Sequence, residues 1–588
     1  MGANVFFAST GAVLDVTSAL IDAGVIAAWR ARIERATRSF PWGPPKTVAR
    51  PHAGGVQLAI TAPYDQLFLA TEINEWALCA TLVAADPERW RGLEAALRSE
   101  AAENAVDGNL AVALPPVLDE AAAFERFERI AALESHPKLK RLLDSAAARF
   151  LPTVLDEASL TLGAGTGSRD FPLDALPEES DVPWDELGDI PTAVVTGSNG
   201  KTTTVRLLAA CARAAGWHTG YNCTDGVYLD DEPLASGDYS GPAGARMVLR
   251  DHRTQAAILE TARGGILRRG IAVTQASVAV VTNVSADHFG EYGIDNLADL
   301  AATKLTVGAA VWRRGVLVLN ADDPSLRAQA EDLPIRFGQR PVLGWFSAEA
   351  NSPLLVEYAA RGDLTCGASN GRLVLKHGRV SHDLGAIAEM PLTIGGVATY
   401  NIANLAGAAL AALALAITPS TISEVFGHFG ARAEDNPGRM MRFARDGVTV
   451  LIDYAHNPDG LRGFLKVASH LRRDGRLAII LGQAGNRQDA DIEELVQVTA
   501  SFHPDLIVVK ENETQLRGRA PGEMPQLIRD KLLRLGLPES ALALEHTELD
   551  AARHALSWAR PGDIVALPMH ISSARKALLA ELRQTYRG

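Results

Sequence analysis

Hydrophobic positions in this chain follow two periods in succession. Up to residue 188 the helical spacing i, i+3, i+4 dominates. Residues 13–38 and 87–105 read as amphipathic helices, 64–82 as a helix that also carries Asp65, Glu72, Glu75 and Trp76, and 120–148 as one long charged helix. The alternating stretch VQLAI at 56–60 reads as a strand. A glycine-rich run at 163–167 leads into Pro172, Pro177 and Pro183 among acids, the composition of a connector.

From Ile190 short β-branched runs alternate with helical segments. Residues 193–195, 256–259, 277–281 and 316–319 have the continuous apolar character of buried parallel strands, and 205–215 has helical periodicity. Residues 354–380 hold shorter β-like runs with glycine turns, as expected of an inserted or edge β region, and 400–417 is helix-rich. Past Pro437-Gly438 a second alternating series begins, with strands at 448–452, 477–481, 506–509 and 564–567. The expected fold class is α/β in three domains: an α+β unit at 1–188, a central parallel-sheet unit at 189–435, and a Rossmann-like α/β unit at 436–588.

Composition narrows the function. A formal net charge of −13 without a Lys/Arg block argues against nucleic acid as a partner. Cys79, Cys211, Cys223 and Cys366 are scattered, which fits a reducing cytoplasm and gives no zinc spacing. The apolar stretch at 405–417 is too short to span a bilayer, and the N-terminus lacks a basic region ahead of an apolar block, so neither a membrane partner nor a signal peptide is expected. The oligomeric state is not legible.

The chemistry concentrates at AVVTGSNGKTTTV, residues 193–205. A strand, a turn of Gly197, Ser198, Asn199 and Gly200, then Lys201, Thr202 and Thr203 at a helix start, form a phosphate cradle. Backbone N–H groups and the helix dipole attract an anion, Lys201 reaches the β/γ-phosphates, and the Thr202 hydroxyl suits Mg²⁺. The spacing departs from GxxxxGK[ST] because Val195 replaces the first glycine. Glu260, in ETARGG, ends the strand at 256–259, on the sheet edge where ligands bind, and is placed as a second Mg²⁺ ligand. His288, in TNVSADH, follows the next strand and suits a divalent ion; Lys304 follows in a helical stretch.

These motifs, with CTDGVYLDD at 223–231 and GPAGARMVLRD at 241–251, resemble the Mur ligase superfamily, and within it the Mur-ligase-like half of the cyanophycin synthetases, over residues 190 to the C-terminus. The resemblance implies ATP-dependent joining of a carboxylate to an amino acid's amine, with two Mg²⁺ ions. It implies that Gly197, Gly200, Lys201 and Thr202 hold ATP, that Glu260 and His288 hold metal, and that Lys304 is the lysine carbamylated in many members. Asn283 and Asn404 would line the nucleotide site; Tyr400 stands where the family often has histidine. Arg439 would approach the phosphates, Asp453 the ribose and phosphate side, and His456 the reacting region, with Asn457 beside it. Asp453 also reads as the cap of the helix starting near Pro458. Asn486, Arg487, Lys510, Glu511, Arg517 and Arg519 resemble the amino-acid site, where Glu511 and Glu513 would meet a basic side chain such as arginine, joined to an aspartyl carboxylate. The ATP-grasp half of cyanophycin synthetase has no counterpart before Ile190, which leaves residues 1–188 as an unassigned unit, possible acceptor binding among its roles. A second expectation stays open: an ATP-binding partner or regulator of a cyanophycin-type polymer system that no longer catalyses.

Overall fold

A computed structural model describes residues 3–17, 21–103, 114–286, 289–311, 315–333 and 341–584. His288 therefore lies outside the described residues.

The first unit is an antiparallel sheet in the order Gly11–Val16, Gly55–Thr61, Thr47–His52. The helices Ala23–Ala36, Leu67–Ala85 and Glu120–Glu134 contribute Trp29, Ile33, Leu69, Ile73, Phe127 and Ile130 to one core with Leu58 and Ile60 of the sheet. Three expectations change here. Residues 13–38 are not one helix: GAVLDV pairs with the strand at 55–61, and the helix starts only at Ala23, where Asp22 accepts the Val25 N–H. The helix expected over 87–105 is confined, in the described residues, to Leu93–Glu103 and buries none of its side chains. Residues 120–148 form two helices, because Pro137 has no N–H to continue the first and instead opens the second. The segment Tyr64–Ala85 is long and apolar enough to cross a membrane by length and composition, but half of its most apolar window is buried inside the fold.

The glycine-rich run is more than a connector. The Thr166 N–H donates to the Thr254 carbonyl at 2.9 Å, and Arg250 pairs with Asp156, which ties the small sheet of Thr153–Leu155, Ser159–Leu162 and Arg169–Pro172 to the central unit.

Among the described residues the central sheet has 11 strands. Seven are parallel, in the order Thr219–Cys223, Ala256–Glu260, Thr192–Thr196, Val278–Val281, Val316–Asn320, Val342–Ser347, Leu364–Ser369. Antiparallel strands close both edges: Gly226–Leu229 and Glu232–Ser236 on one, Arg372–His377 and Val380–Ala386 on the other. The expected edge region at 354–380 is thus strand from residue 364 on, but Pro353–Ala360 is a helix. Apolar layers cover both faces, one from helices Lys201–Ala214 and Thr399–Ala414, the other from Pro242–Arg250 and Leu297–Lys304. Each fully buried Leu, Ile or Val there contributes roughly 1.5–3 kcal/mol. That two-sided cover is why these strands read as continuous apolar runs.

The last sheet has the order Met441–Arg445, Val448–Asp453, Ile564–Pro568, Leu477–Leu481, Leu506–Lys510, Leu542–Glu545, parallel except for its first pair. The edge strands at 441–445 and 542–545 carry little apolar signal and are absent from the expected set.

Candidate active site

Parallel register brings the carboxyl ends of four central strands to one edge, so Gly197, Glu260, Thr282 and Asn320 meet there. The phosphate loop is held from beneath. Thr282 Oγ1 donates to the Asn199 carbonyl at 2.6 Å, and Asn283 both accepts the Asn199 N–H at 2.9 Å and donates to its carbonyl at 3.1 Å. Ser198 Oγ donates to the Ser285 carbonyl at 3.1 Å. Asn283 therefore shapes the loop as well as lining the cavity above it.

Two loop positions require glycine. A Cβ on Gly197 would lie 1.8 Å from Thr282 Oγ1, and one on Gly200 (φ +84°) would lie 2.2 Å from Asn404 Oδ1. Lys201 Nζ folds onto the Gly197 and Ser198 carbonyls at 3.1 and 3.0 Å, spanning the concave side of the loop.

Glu260 is fully buried. Its Oε2 accepts from Thr202 Oγ1 at 2.8 Å and its Oε1 from Thr224 Oγ1 at 3.1 Å. Burial pushes its carboxyl above the usual carboxylate range, while Lys201, Thr202, Arg439 and Thr224 pull it back. One carboxylate and two hydroxyls make a hard-oxygen donor set of the kind Mg²⁺ takes when phosphate oxygens and waters supply the remaining positions. These residues fit Mg²⁺.

Two cavities open on this cluster. One, of about 390 Å³, is lined by Ser198–Thr203, Asn283, Asn320, Asp322, Tyr400, Asn404, Arg439 and Asp453. The other, of about 550 Å³, is lined by Arg263, Arg268, Arg269, Lys304, Arg487, Asn512, Gln515, Arg517 and His570. Ser198, Lys201, Thr224, Glu260, Tyr454 and His456 line both. All lining residues of the two cavities come from position 197 onward, so the described part of 1–188 walls neither.

The expected residues divide accordingly. Arg439 stacks over the Tyr454 ring, 4.6 Å from its centroid, and its guanidinium reaches Thr202 Oγ1 at 3.4 Å. Thr203 Oγ1 accepts from Asn436 at 3.1 Å. Asp453 faces the smaller cavity, but its two oxygens accept the Met440 and Ala455 N–H groups at 2.6 and 2.8 Å, and burial raises its carboxyl. The helix cap expected of Asp453 is made by Asn457, which accepts the Gly460 N–H at 2.9 Å. Asn457 also donates to Asn199 Oδ1 at 3.0 Å, bracing the phosphate loop from the last unit, and lines neither cavity. Lys304 is buried against the larger cavity.

Of the expected amino-acid site, His456, Arg487 and Arg517 line the larger cavity. Asn486 stands behind Arg517, accepting from it at 3.1 Å. Lys510 ends its strand with the side chain fully buried in an ion pair with Glu548. Glu511 accepts the Gly522 N–H at 2.5 Å, Glu513 accepts the Glu548 N–H at 3.4 Å, and Arg519 pairs with Glu523 at 3.1 Å. These four line neither cavity, and Glu511 and Glu513, the acids expected to meet a basic side chain, instead accept backbone N–H groups. Thr224, Arg268 and Arg269 join the cavity linings from outside the expected set, although they sit inside the phrases CTDG and ARGGILRRG. Tyr454 likewise sits in DYAHNPD, whereas Asn512 and His570 carry no local signal.

Comparison with known proteins matches residues 195–412 to the Mur ligase middle domain and 438–567 to the Mur ligase, glutamate ligase domain. Cyanophycin synthetase of Synechocystis sp. is 36% identical over 395 residues, 66% of this chain and 44% of that protein. UDP-N-acetylmuramoyl-L-alanyl-D-glutamate--2,6-diaminopimelate ligase of Geobacter metallireducens is 27% identical, over 64% of this chain and 73% of that protein. Among solved structures, E. coli FolC in complex with DHPP and ADP aligns with a TM-score of 0.48 and 16% identity, over 67% of this chain and 89% of that one. The chain spans less than half the length of the cyanophycin synthetases it matches.

Proposed function

The chain belongs to the Mur ligase family, and from that premise we propose that it is an ATP-dependent ligase joining a carboxylate to the amine of an amino acid. One observation carries the reading: two cavities, one over the phosphate loop and one beyond it, meet at Lys201, Thr224 and Glu260. A nucleotide in the first would present its γ-phosphate to a carboxylate in the second.

In this reading ATP lies under Arg439 with its base toward Tyr400 and Asn404. Lys201 leaves the loop carbonyls for the β/γ-phosphates. Thr202 and Glu260 hold Mg²⁺, which supplies charge compensation along the phosphates; His288 and a carbamylated Lys304 complete the proposed set with a second ion. A carboxylate oxygen attacks the γ-phosphorus, the bond to the β-phosphate oxygen breaks, and ADP leaves. The neutral amine then attacks the acyl-phosphate carbon. Inorganic phosphate departs with the C–O bond electrons, and the nitrogen loses a proton. The protein's part is positioning and charge stabilisation. The proposed ligase has three domains, 1–188, 189–435 and 436–588. The first acts on the site from outside: Ala53 N–H donates to Asp295 at 2.6 Å, Gln57 to the Tyr292 carbonyl at 3.0 Å, and Arg50 pairs with Asp299 at 2.9 Å. These contacts brace the segment that leads to Lys304.

The test is ADP release by the full chain with ATP, Mg²⁺, a panel of amino acids and short acidic peptides, with products identified by mass. Substrate-dependent ADP together with an amide product is expected. Tight ATP binding with no turnover from any pair would favour the non-catalytic partner instead.

A further inference from the structure

Glu548, fully buried, pairs with Lys510 and also accepts the His570 and Ile571 N–H groups at 2.9 and 2.8 Å. One carboxylate thereby fixes two segments of the last unit, the strand end that leads to Asn512 and the turn that carries His570. Asn512 and His570 both line the larger cavity, and neither lines the smaller one. Each keeps a buried polar atom, Asn512 Oδ1 and His570 Nε2, that has no hydrogen-bond partner among the described residues. Burial, and then Lys510, His456 and Arg487, hold the His570 imidazole well below its usual range, against the pull of a hydrogen bond to the Ala455 carbonyl. The ring is therefore neutral, Ala455 takes its one N–H, and Nε2 offers a lone pair. Buried acceptors without partners are costly, so both atoms call for donors.

Charge then selects among possible donors. Among the described residues, the last unit lends this cavity no carboxylate but two guanidiniums, the buried Arg487 and the exposed Arg517. The lining carboxylates come from the central unit: Glu260 is held by two threonines, and Asp238 accepts from Ser240. A basic side chain against the last unit's wall would bring donors but meet like charge. A carboxylate would suit the guanidiniums but present lone pairs to two acceptors. An alkyl chain would leave both acceptors unpaired. A primary carboxamide brings two N–H donors and no charge. We infer that the amine-bearing substrate is an amino acid with a carboxamide side chain, whose N–H groups go to Asn512 Oδ1 and His570 Nε2. This replaces the basic side chain that the resemblance implies. It rests on the ligase reading for the ligand's role in the reaction, and on the cavity wall alone for its binding.

Ligand-observed NMR titrations of the full chain with Mg²⁺ and ADP test it, using L-glutamine, L-asparagine, L-norleucine, L-arginine and L-glutamate. Glutamine or asparagine is expected to bind at least about tenfold more tightly than the other three, the scale of two neutral hydrogen bonds. Asn512→Leu and His570→Phe each remove one acceptor and keep the space filled. Each is expected to lose about tenfold in affinity for the carboxamide and to leave norleucine binding unchanged. ADP binding and the melting temperature stay at wild-type values, which shows that the fold and the other cavity survive. Asn512→Asp keeps the shape and adds a carboxylate, so it tests the wall even if the apolar variants fail to fold: arginine binding rises and glutamine binding falls. Tightest binding of arginine or glutamate by the unaltered chain overturns the inference. So do norleucine binding as well as the amides, no binding of any of the five, or unchanged preferences in Asn512→Asp. Selective carboxamide binding without ADP release upholds it while the ligase reading fails. ADP release driven best by arginine does the reverse.

Discussion

Arg575 and Asp225, 350 positions apart, form an ion pair at 2.6 Å that joins the last helix to the central sheet. Asp225 also accepts from Arg206 at 2.8 Å, on the helix that follows the phosphate loop. Burial opposes the charge on Asp225, but Arg439, Arg206 and Arg575 outweigh it and hold the carboxyl below its usual range. One carboxylate thus links the phosphate helix to the lobe that carries Arg439 and Tyr454.

Asp225→Asn leaves two buried guanidiniums without their counter-charge. The expected loss is about 3 kcal/mol of stability, the scale for breaking a buried pair from one side. Chemical denaturation measures it. A shift below about 0.5 kcal/mol, the range of ordinary surface substitutions, would show that the lobes do not depend on this link.

Gly200→Ala places a methyl group on Asn404 and holds a non-glycine residue at φ +84°. The conformation alone costs roughly 1–2 kcal/mol. ADP affinity by calorimetry is expected to fall at least about tenfold, the equivalent of that strain. Adding Asn404→Ala relieves the clash but not the backbone strain, so it restores only part. Full affinity in the single variant would mean that the loop need not keep this shape to bind.

Lys304→Ala is expected to abolish ADP release while ADP still binds, because Lys304 lines the larger cavity and not the smaller one. If the lysine acts as its carbamate, Lys304→Glu retains more turnover than Lys304→Ala. Equal loss in both would remove the carbamate from the account.

Asp295→Ala removes the acceptor for Ala53 N–H and loosens the brace between the first unit and the segment before Lys304. Hydrogen exchange should rise at 289–299, and kcat should fall with little change in the KM for ATP. An unchanged exchange rate there would deny the first unit this positioning role.

Asp156 gives a pH signature. Burial raises its carboxyl, but the hydrogen bond from Arg250 and the N–H groups of Ala158 and Ser159 outweigh this and lower it to about 2, against 3.8 for the free group. A depressed carboxyl stabilises the fold fully above the unfolded value, and the contribution is lost as pH falls from about 4 toward 2. Asp156→Asn should lower the melting temperature at neutral pH and flatten its dependence in that window. Parallel melting curves for the two proteins would sink the assignment.

Most of what could be read from the chain was local. VVTGSNGKTT is a strand, a turn and a helix start within ten residues, so steric preference and hydrogen-bonding need specify it without help from afar. The buried strands were legible because a sheet covered on both faces demands continuous apolar runs. Glu260 followed from its place at a strand end. Where a pattern fitted two structures, as GAVLDV did, pairing with a strand more than forty residues on decided between them.

Sequence alone determined the order of the α/β units, the phosphate loop and the carboxylate that faces it. Tertiary structure decided which charges of the 510–519 stretch serve the cavity: Lys510 is turned inward to Glu548, Glu511 to a backbone N–H, and only Arg517 of the expected set opens onto it. The reason is directional. A charged side chain can go to solvent, to a buried partner or to a ligand, and the choice depends on which groups distant segments bring within hydrogen-bonding reach.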